Sequence, residues 1–210
     1  MMEQDIKTQS AAPRRSILRG LGKILLAGLL AFLALEAFCC VYFNKPIHTA
    51  TPGGPTDYVW EKNVFYSNWT EGIGYGRTNN EGYYNLGDYD QDAPVDILIM
   101  GSSFMQAEQV PQKESAAAVL PEYLPGYRVY NIGTAAHRLP QSLQNLRSAC
   151  EAYRPRFVVL ETQNLGFSSE DLELILTGDY PEEVSNDSPL LLLLKRSNFL
   201  NLLYYQLSYY

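Results

Sequence analysis

The sequence predicts a three-layer α/β fold, with a parallel sheet covered by helices on both faces and one transmembrane helix in front of it. Two observations support this prediction. Three short apolar runs, at 96–100, 128–132 and 157–161, alternate with helical stretches. A twenty-residue apolar run at 24–43 precedes them. Strands that alternate with helices are typical of a doubly wound parallel sheet with right-handed crossovers.

The first apolar run leads to the serine on which the functional interpretation depends. The run 96–100 lies between Pro94 and Gly101 and is too short for a helix, which favours a buried parallel strand. A glycine followed by small residues lets the backbone turn sharply, so the strand delivers Ser103 to the sheet edge. Two interpretations are open. The hydroxyl faces a pocket, or Ser102 or Ser103 merely caps the next helix.

The remaining elements follow at regular spacing. The pattern predicts a helix near 112–123, a strand at 128–132, a helix near 140–153 and a strand at 157–161. In a flavodoxin-like order the first and third strands flank the point where the order reverses, and ligands bind there at the carboxyl ends of strands. We therefore expect a group of polar or small residues to meet at this edge: Ser103, Asn131, Gly133, His137, Thr162, Gln163 and Asn164.

Charge is unevenly distributed along the chain. The formal net charge is −7, yet residues 1–23 hold five basic side chains against two acidic ones. Residues 44–210 hold eleven basic against twenty acidic side chains. Such an acidic body argues against a nucleic acid partner.

The run 24–43 predicts a single-pass membrane anchor, because about 20 apolar residues cross a bilayer core. The basic excess before it places the N-terminus in the cytoplasm and the body outside. A cleaved signal peptide is the alternative, but its apolar region is usually ~7–15 residues long and ends at a small-residue site. Here Phe38 stands where a small residue is needed.

The predicted organisation is a cytoplasmic basic tail at 1–23, the anchor at 24–43, a linker at 44–57 and a folded domain at 58–210. The linker is inferred from its prolines and glycines. The aromatic-rich stretch 58–89 predicts irregular structure or short hairpins, or else a platform for sugar rings.

No metal or other cofactor is predicted. Of three cysteines, Cys39 and Cys40 lie in the anchor and leave Cys150 alone in the body. The two histidines, His48 and His137, form no cluster with metal-ligand spacing.

The three strand ends resemble the first three sequence blocks of the SGNH/GDSL hydrolase superfamily. These stretches are Gly101-Ser102-Ser103, Asn131-Ile132-Gly133 and Glu161-Thr162-Gln163-Asn164, and the resemblance covers residues 95–164. It implies an SGNH-type fold, with Ser103 as the nucleophile and the Gly133 backbone N–H in the oxyanion hole. A side-chain amide, Asn164 or alternatively Gln163, would supply the second donor, because such N–H groups stabilise an oxyanion without proton transfer.

The chain departs from that family in one major respect. A serine nucleophile needs a general base, which the family supplies in an Asp-x-x-His block near the end of its domain. This sequence has no such block, so we expect a partial domain, either an N-terminal part of a longer protein or a shortened product. His137 is the remaining histidine of the domain, with no acid partner recognisable in the sequence. It is a candidate base or, with Asn131, a candidate substrate contact, and the alternative is a loop histidine without a catalytic role.

The resemblance implies an extracytoplasmic serine esterase or O-acyltransferase acting on acylated carbohydrate or a cell-wall polymer. Without the Asp-x-x-His block, the chain by itself is expected to be inactive. The alternative is a non-catalytic envelope protein that binds polysaccharide or a membrane partner.

Overall fold

The computed structural model describes residues 14–162, 168–178 and 187–208. It divides into two compact units, 1–38 and 39–210. The helices are α1 (Arg14–Tyr42), α2 (Ser103–Gln106), α3 (Ala116–Tyr123), α4 (Leu139–Tyr153), α5 (Ser169–Thr177), α6 (Pro189–Lys195) and α7 (Asn198–Ser208). The strands are β1 (Phe43–Asn44), β2 (His48–Ala50), β3 (Tyr58–Trp60), β4 (Phe65–Asn68), β5 (Gly74–Arg77), β6 (Ile97–Met100), β7 (Val129–Asn131) and β8 (Phe157–Leu160).

Helix α1 is long and apolar enough to cross a membrane. Its stretch Leu18–Tyr42 has 25 residues and a mean hydropathy of 2.5. The predicted span 24–43 lies almost entirely within it. Length and composition of this kind are weak evidence for membrane anchoring, since signal sequences share them.

The parallel sheet has the order β7-β6-β8. Leu98 of β6 pairs with Tyr130 on one side and Val158 on the other, and both pairings are parallel. All four residues of β6 are buried, as expected for a central strand covered on both faces. The mixed α/β class and the parallel sheet are therefore confirmed.

Asp96 joins the starts of the three parallel strands. Its carboxylate accepts hydrogen bonds from the backbone N–H of Arg128, at 2.9 Å, and from the Arg156 side chain, at 3.1 Å. The Arg128 N–H, followed by the Arg156 guanidinium, holds the pKa of Asp96 below its usual value. The strands are thus aligned at their amino ends by one side chain.

Strands also form inside the segment predicted to be a linker. Strand β1 pairs with β4 in the antiparallel sheet β1-β4-β5, and β2 pairs with β3. Phe43, which the sequence assigned to the end of the anchor, is instead the first residue of β1, is fully buried, and packs its ring on Tyr205 of α7. The compact body accordingly begins at Cys39. The sequence did not indicate these strands. Each is only two or three residues long, which is too short to show an alternating pattern among the prolines and glycines of the segment.

The aromatic-rich stretch 58–89 supplies short hairpins and part of the core. Tyr83 packs with residues of the parallel sheet, and burial raises its pKa to about 12. The hydroxyls of Tyr130 and Tyr153 donate to the Glu81 carboxylate at 2.7 and 2.9 Å. Burial, together with neighbouring ionisable groups that include Glu81, raises the pKa of both tyrosines well above the usual value. These phenols therefore remain protonated donors in the folded protein.

The interruptions at Lys195, Arg196 and Asn198 make the apolar stretch 190–205 too polar to cross a membrane, and the sequence predicts a helix packed on the sheet. The structure has two helices there. Helix α6 ends at Lys195, and the Ser197 hydroxyl accepts a hydrogen bond from the Leu200 N–H at the start of α7. A serine in this position provides a new helix N-cap, which explains the break. Helix α7 packs against β1, in the antiparallel sheet.

Phe43→Ala tests whether the segment after α1 is part of the folded body. Removing a fully buried aromatic ring should lower the free energy of unfolding by about 3–5 kcal/mol. Thr49→Ala, on the exposed face of β2, is the matched control and should change stability by less than about 0.5 kcal/mol. Denaturant titration of the full chain in detergent micelles measures both. Equal small effects would show that this segment is a loose linker.

Candidate active site

The turn after β6 presents two serines in different environments. Ser102 is buried and is the N-cap of α2, with its hydroxyl accepting a hydrogen bond from the Phe104 N–H at 3.4 Å. Ser103 is the first residue of α2 and is only partly buried. Its hydroxyl makes no hydrogen bond with the residues that the structure describes. The capping role therefore belongs to Ser102, which leaves the Ser103 hydroxyl accessible at the carboxyl end of the central strand.

Glu161 holds the serine turn in place. Its Oε2 atom accepts hydrogen bonds from both the Ser102 N–H, at 2.8 Å, and the Ser102 hydroxyl, at 2.7 Å. Glu161 immediately follows β8, so the carboxylate joins the ends of β6 and β8. Bonds to a charged acceptor are stronger than neutral ones. The sequence contained Glu161 within the third block but offered no sign of this role.

The loop after β7 packs against α2 from the other side. Asn131 is almost fully buried, and its Nδ2 atom donates to the Met105 carbonyl at 2.5 Å. A side chain at Gly133 would place its Cβ only 2.6 Å from the Met105 Cβ, so glycine is required by this close approach. The Thr134 N–H donates to the Gly101 carbonyl at 2.9 Å. Ser103 and Gly133 are therefore on neighbouring strand ends, as expected.

The Gly133 N–H, the expected oxyanion donor, already has an acceptor. It donates to the Asn131 Oδ1 atom at 2.8 Å. An oxyanion at this position would have to displace that amide oxygen. Since the Asn131 amide is held in turn by Met105, Asn131 positions the loop and its side chain is not aimed at solvent.

His137 is buried against an acid that sequence reasoning missed. Its Nε2 atom lies 3.4 Å from Asp57 Oδ2, and the two side chains are 3% and 2% exposed. The Asn145 side chain donates to Asp57 Oδ1 at 2.6 Å. The Tyr58 ring packs edge-on against the imidazole, with centroids 6.0 Å apart. Asp57 lies 80 residues before His137, in the predicted linker, so no local spacing could have indicated the pair.

The carboxyl end of β8 completes the edge only in part. Glu161 and Thr162 are described and are both partly buried. Gln163 and Asn164, the alternative amide donors, lie outside the described residues. The structure thus brings together Ser103, Asn131, Gly133 and Glu161, and it directs His137 toward Asp57.

The chain matches no protein-family model, and no curated protein matches it. The fold and the site therefore define a class of protein. It is a mixed α/β domain with an accessible serine at the carboxyl end of its central parallel strand.

Glu161→Gln tests the link between the serine turn and β8. Losing a charged acceptor for two donors should lower the free energy of unfolding by about 1–2 kcal/mol. Ser102→Ala should cost a similar amount, and the double variant should show a coupling energy of about 1 kcal/mol. Glu151→Gln, an exposed acid on α4, is the control and should be near neutral. Additive effects of the two changes at the turn would contradict a direct link.

Asp57→Ala tests the buried pair. It leaves Asn145 without a buried acceptor and removes the acid beside His137, which should lower the free energy of unfolding by about 2–4 kcal/mol. Asp92→Ala removes an exposed carboxylate and should change stability by less than about 0.5 kcal/mol. Chemical denaturation compares the variants. A near-neutral Asp57→Ala would indicate that the pair does not stabilise the body.

Proposed function

We propose that this protein is a membrane-anchored, extracytoplasmic serine esterase or O-acyltransferase of the SGNH/GDSL type, acting on acylated carbohydrate of the cell envelope. The observation that carries the proposal is the accessible Ser103 hydroxyl at the carboxyl end of the central strand. The β7-β6-β8 order matches the first three strands of a flavodoxin-like sheet, which has its ligand site at this edge. The basic residues in the first ten positions of α1, Arg14, Arg15, Arg19 and Lys23, support an N-terminus in the cytoplasm.

In the proposed reaction Ser103 Oγ attacks the acyl carbonyl carbon, and its proton passes to a general base. The resulting oxyanion accepts hydrogen bonds from the Gly133 N–H and from the side-chain amide of Asn164 or Gln163. The sugar oxygen leaves with a proton, and the acyl group remains on Ser103. Water then releases the acid, or a second hydroxyl takes the acyl group. The two candidate substrate contacts are both buried: the Asn131 amide is bonded to Met105 and Gly133, and His137 lies against Asp57.

The described residues supply no evident base for this step. His137 faces Asp57 inside the body, and the carboxylate of Glu161 is engaged by Ser102. An unassisted hydroxyl is a weak nucleophile, and sites that lack triad members keep only about 10³–10⁴-fold catalysis over water in well-studied hydrolases. The chain by itself should accordingly turn over esters slowly.

The second candidate is a non-catalytic envelope protein that binds polysaccharide or a membrane partner. Two contacts favour it. The Gly133 N–H is occupied by Asn131, and the Asp57–His137 pair is almost fully buried. A backbone N–H that is already bonded and a histidine that is buried within the protein are not presented to a substrate.

Reaction of the full chain with a fluorophosphonate probe discriminates between the two functions. The serine hydrolase proposal predicts slow labelling at Ser103, mapped by mass spectrometry, which Ser103→Ala abolishes. Ser148→Ala removes a partly buried hydroxyl on α4 and should leave labelling unchanged. His137→Ala should also keep the slow rate, because His137 is directed toward Asp57.

No labelling after prolonged exposure would contradict the nucleophile role and leave the binding function. Rapid labelling that His137→Ala abolishes would contradict the expected slow rate and identify His137 as the base. Hydrolysis of an activated acetyl ester by the same variants provides an independent rate.

A further inference from the structure

The tip of the β4–β5 hairpin, residues 69–73, lies beside the last residues of the apolar helix. Strands β1 and β4 are antiparallel, with Phe43 opposite Asn68. The pairing continues one residue further, because the Trp69 N–H donates to the Tyr42 carbonyl at 3.1 Å. The Trp69 ring meets the Tyr42 ring edge-on, with centroids 6.4 Å apart. The hairpin tip is thus at the level of the end of the candidate span.

The length of the apolar stretch determines how deep Tyr42, and the hairpin tip bonded to it, would lie in a bilayer. Its 25 residues extend for about 37 Å at 1.5 Å per residue. The hydrocarbon core is about 30 Å thick, and each head-group layer adds roughly 5–7 Å. Since Arg19 and Lys23 belong at the opposite interface, the core is crossed by the run 24–43, which is about 30 Å long. Tyr42 then lies at the boundary between the hydrocarbon core and a head-group layer. A group bonded to Tyr42 lies at that boundary too.

The chemistry of the tip fits this environment. Trp69 is 40% exposed and Ile73 is 63% exposed. Tryptophan is enriched at membrane interfaces because its ring is apolar and its N–H is polar. The one acid of the tip, Glu71, is exposed, and its carboxylate accepts surface hydrogen bonds from Tyr205 at 3.2 Å and from Gln109 at 3.4 Å.

The tip is held rigidly against the segment that follows α2. A side chain at Gly74 would place its Cβ 1.8 Å from the Glu108 carbonyl oxygen, so only glycine allows this packing. The Asn68 side chain accepts hydrogen bonds from the Thr70 N–H at 3.2 Å and from its hydroxyl at 2.6 Å. These contacts hold the hairpin tip, including Trp69, against the body.

We propose that Trp69 and Ile73 insert into the head-group layer of the bilayer that holds α1, so that the body contacts the membrane at a second point. The inference rests on the proposed membrane anchoring. The tip packs on Glu108 and Gln109, and Gln109 is six residues after Ser103. Six residues of chain span at most about 21 Å, so Ser103 lies within about 21 Å of Gln109, on which the tip packs. The substrate class then narrows to acyl groups carried close to the membrane surface.

Quenching of tryptophan fluorescence by brominated phospholipids tests the proposal. The full chain is reconstituted in phosphatidylcholine vesicles with bromine placed either near the head group or deep in the acyl chain. The chain has two tryptophans, and Trp60 is buried at 6% exposure. Trp69→Phe therefore isolates the Trp60 signal, and the difference from the unaltered chain belongs to Trp69. We expect the shallow bromines to quench Trp69 more than the deep ones, and Trp60 to be quenched little.

Two further variants in the Trp69→Phe background compare the depth of other positions in the bilayer with that of Trp69. Ile73→Trp should restore quenching by the shallow bromines. Phe65→Trp is the matched control, since Phe65 is exposed at the far end of β4, about 13 Å from the tip. It should be quenched by aqueous iodide and weakly by bromine.

Equal quenching at positions 65 and 69, or iodide quenching of Trp69 without bromine quenching, would overturn the proposal. Loss of the chain from vesicles in an alkaline carbonate wash would overturn the anchoring and this inference together. Ser103→Ala should leave the quenching pattern unchanged, so that failure of the serine chemistry and failure of membrane contact are distinguishable.

Discussion

The turn after β6 is held from both neighbouring strands, and the arrangement of the candidate site depends on this constraint. On the β8 side the Glu161 carboxylate accepts two hydrogen bonds from Ser102. On the β7 side the Thr134 N–H donates to the Gly101 carbonyl. Because Ser102 is fully engaged, the next residue begins α2 and its hydroxyl is left at the surface of the sheet edge.

The same hydrogen bonds limit what the site can do. Buried polar groups need partners, and here Asn131 satisfies the Gly133 N–H while Asp57 lies next to His137. The Gly133 N–H, which a hydrolase would use on substrate, is occupied within the protein. Catalysis would require the Asn131 contact to open, whereas a binding function would not. The geometry therefore supports a serine nucleophile in principle and predicts a slow one.

The Asp57–His137 pair also explains why the segment after α1 cannot be treated as a spacer. Asp57 accepts from Asn145 of α4, and Phe43 packs on α7. The chain between the apolar helix and the parallel sheet thus contacts elements that are distant in sequence. These contacts tie the end of α1 to the body, which is the basis for the inferred second contact with the membrane.

Sequence patterns predicted the parallel strands and α4 well. A short apolar run between turn-forming residues favours a buried strand, and a proline in a first turn marks the start of a helix. The run before Gly101 became β6, and Pro140 lies in the first turn of α4. The strands β1 and β2 were not predicted, since two or three residues carry no measurable period. The break between α6 and α7 depended on a single capping serine, Ser197.

By itself the sequence determined the α/β class, the long apolar helix and the position of Ser103 after a buried strand, because these follow from local hydrophobic patterns. Only the tertiary structure decided that Ser102 binds Glu161 and that His137 lies against Asp57. Those pairs join residues 59 and 80 positions apart in the chain. A pairing of isolated polar side chains leaves no periodic trace, so its partners are known only once the strands and helices have packed.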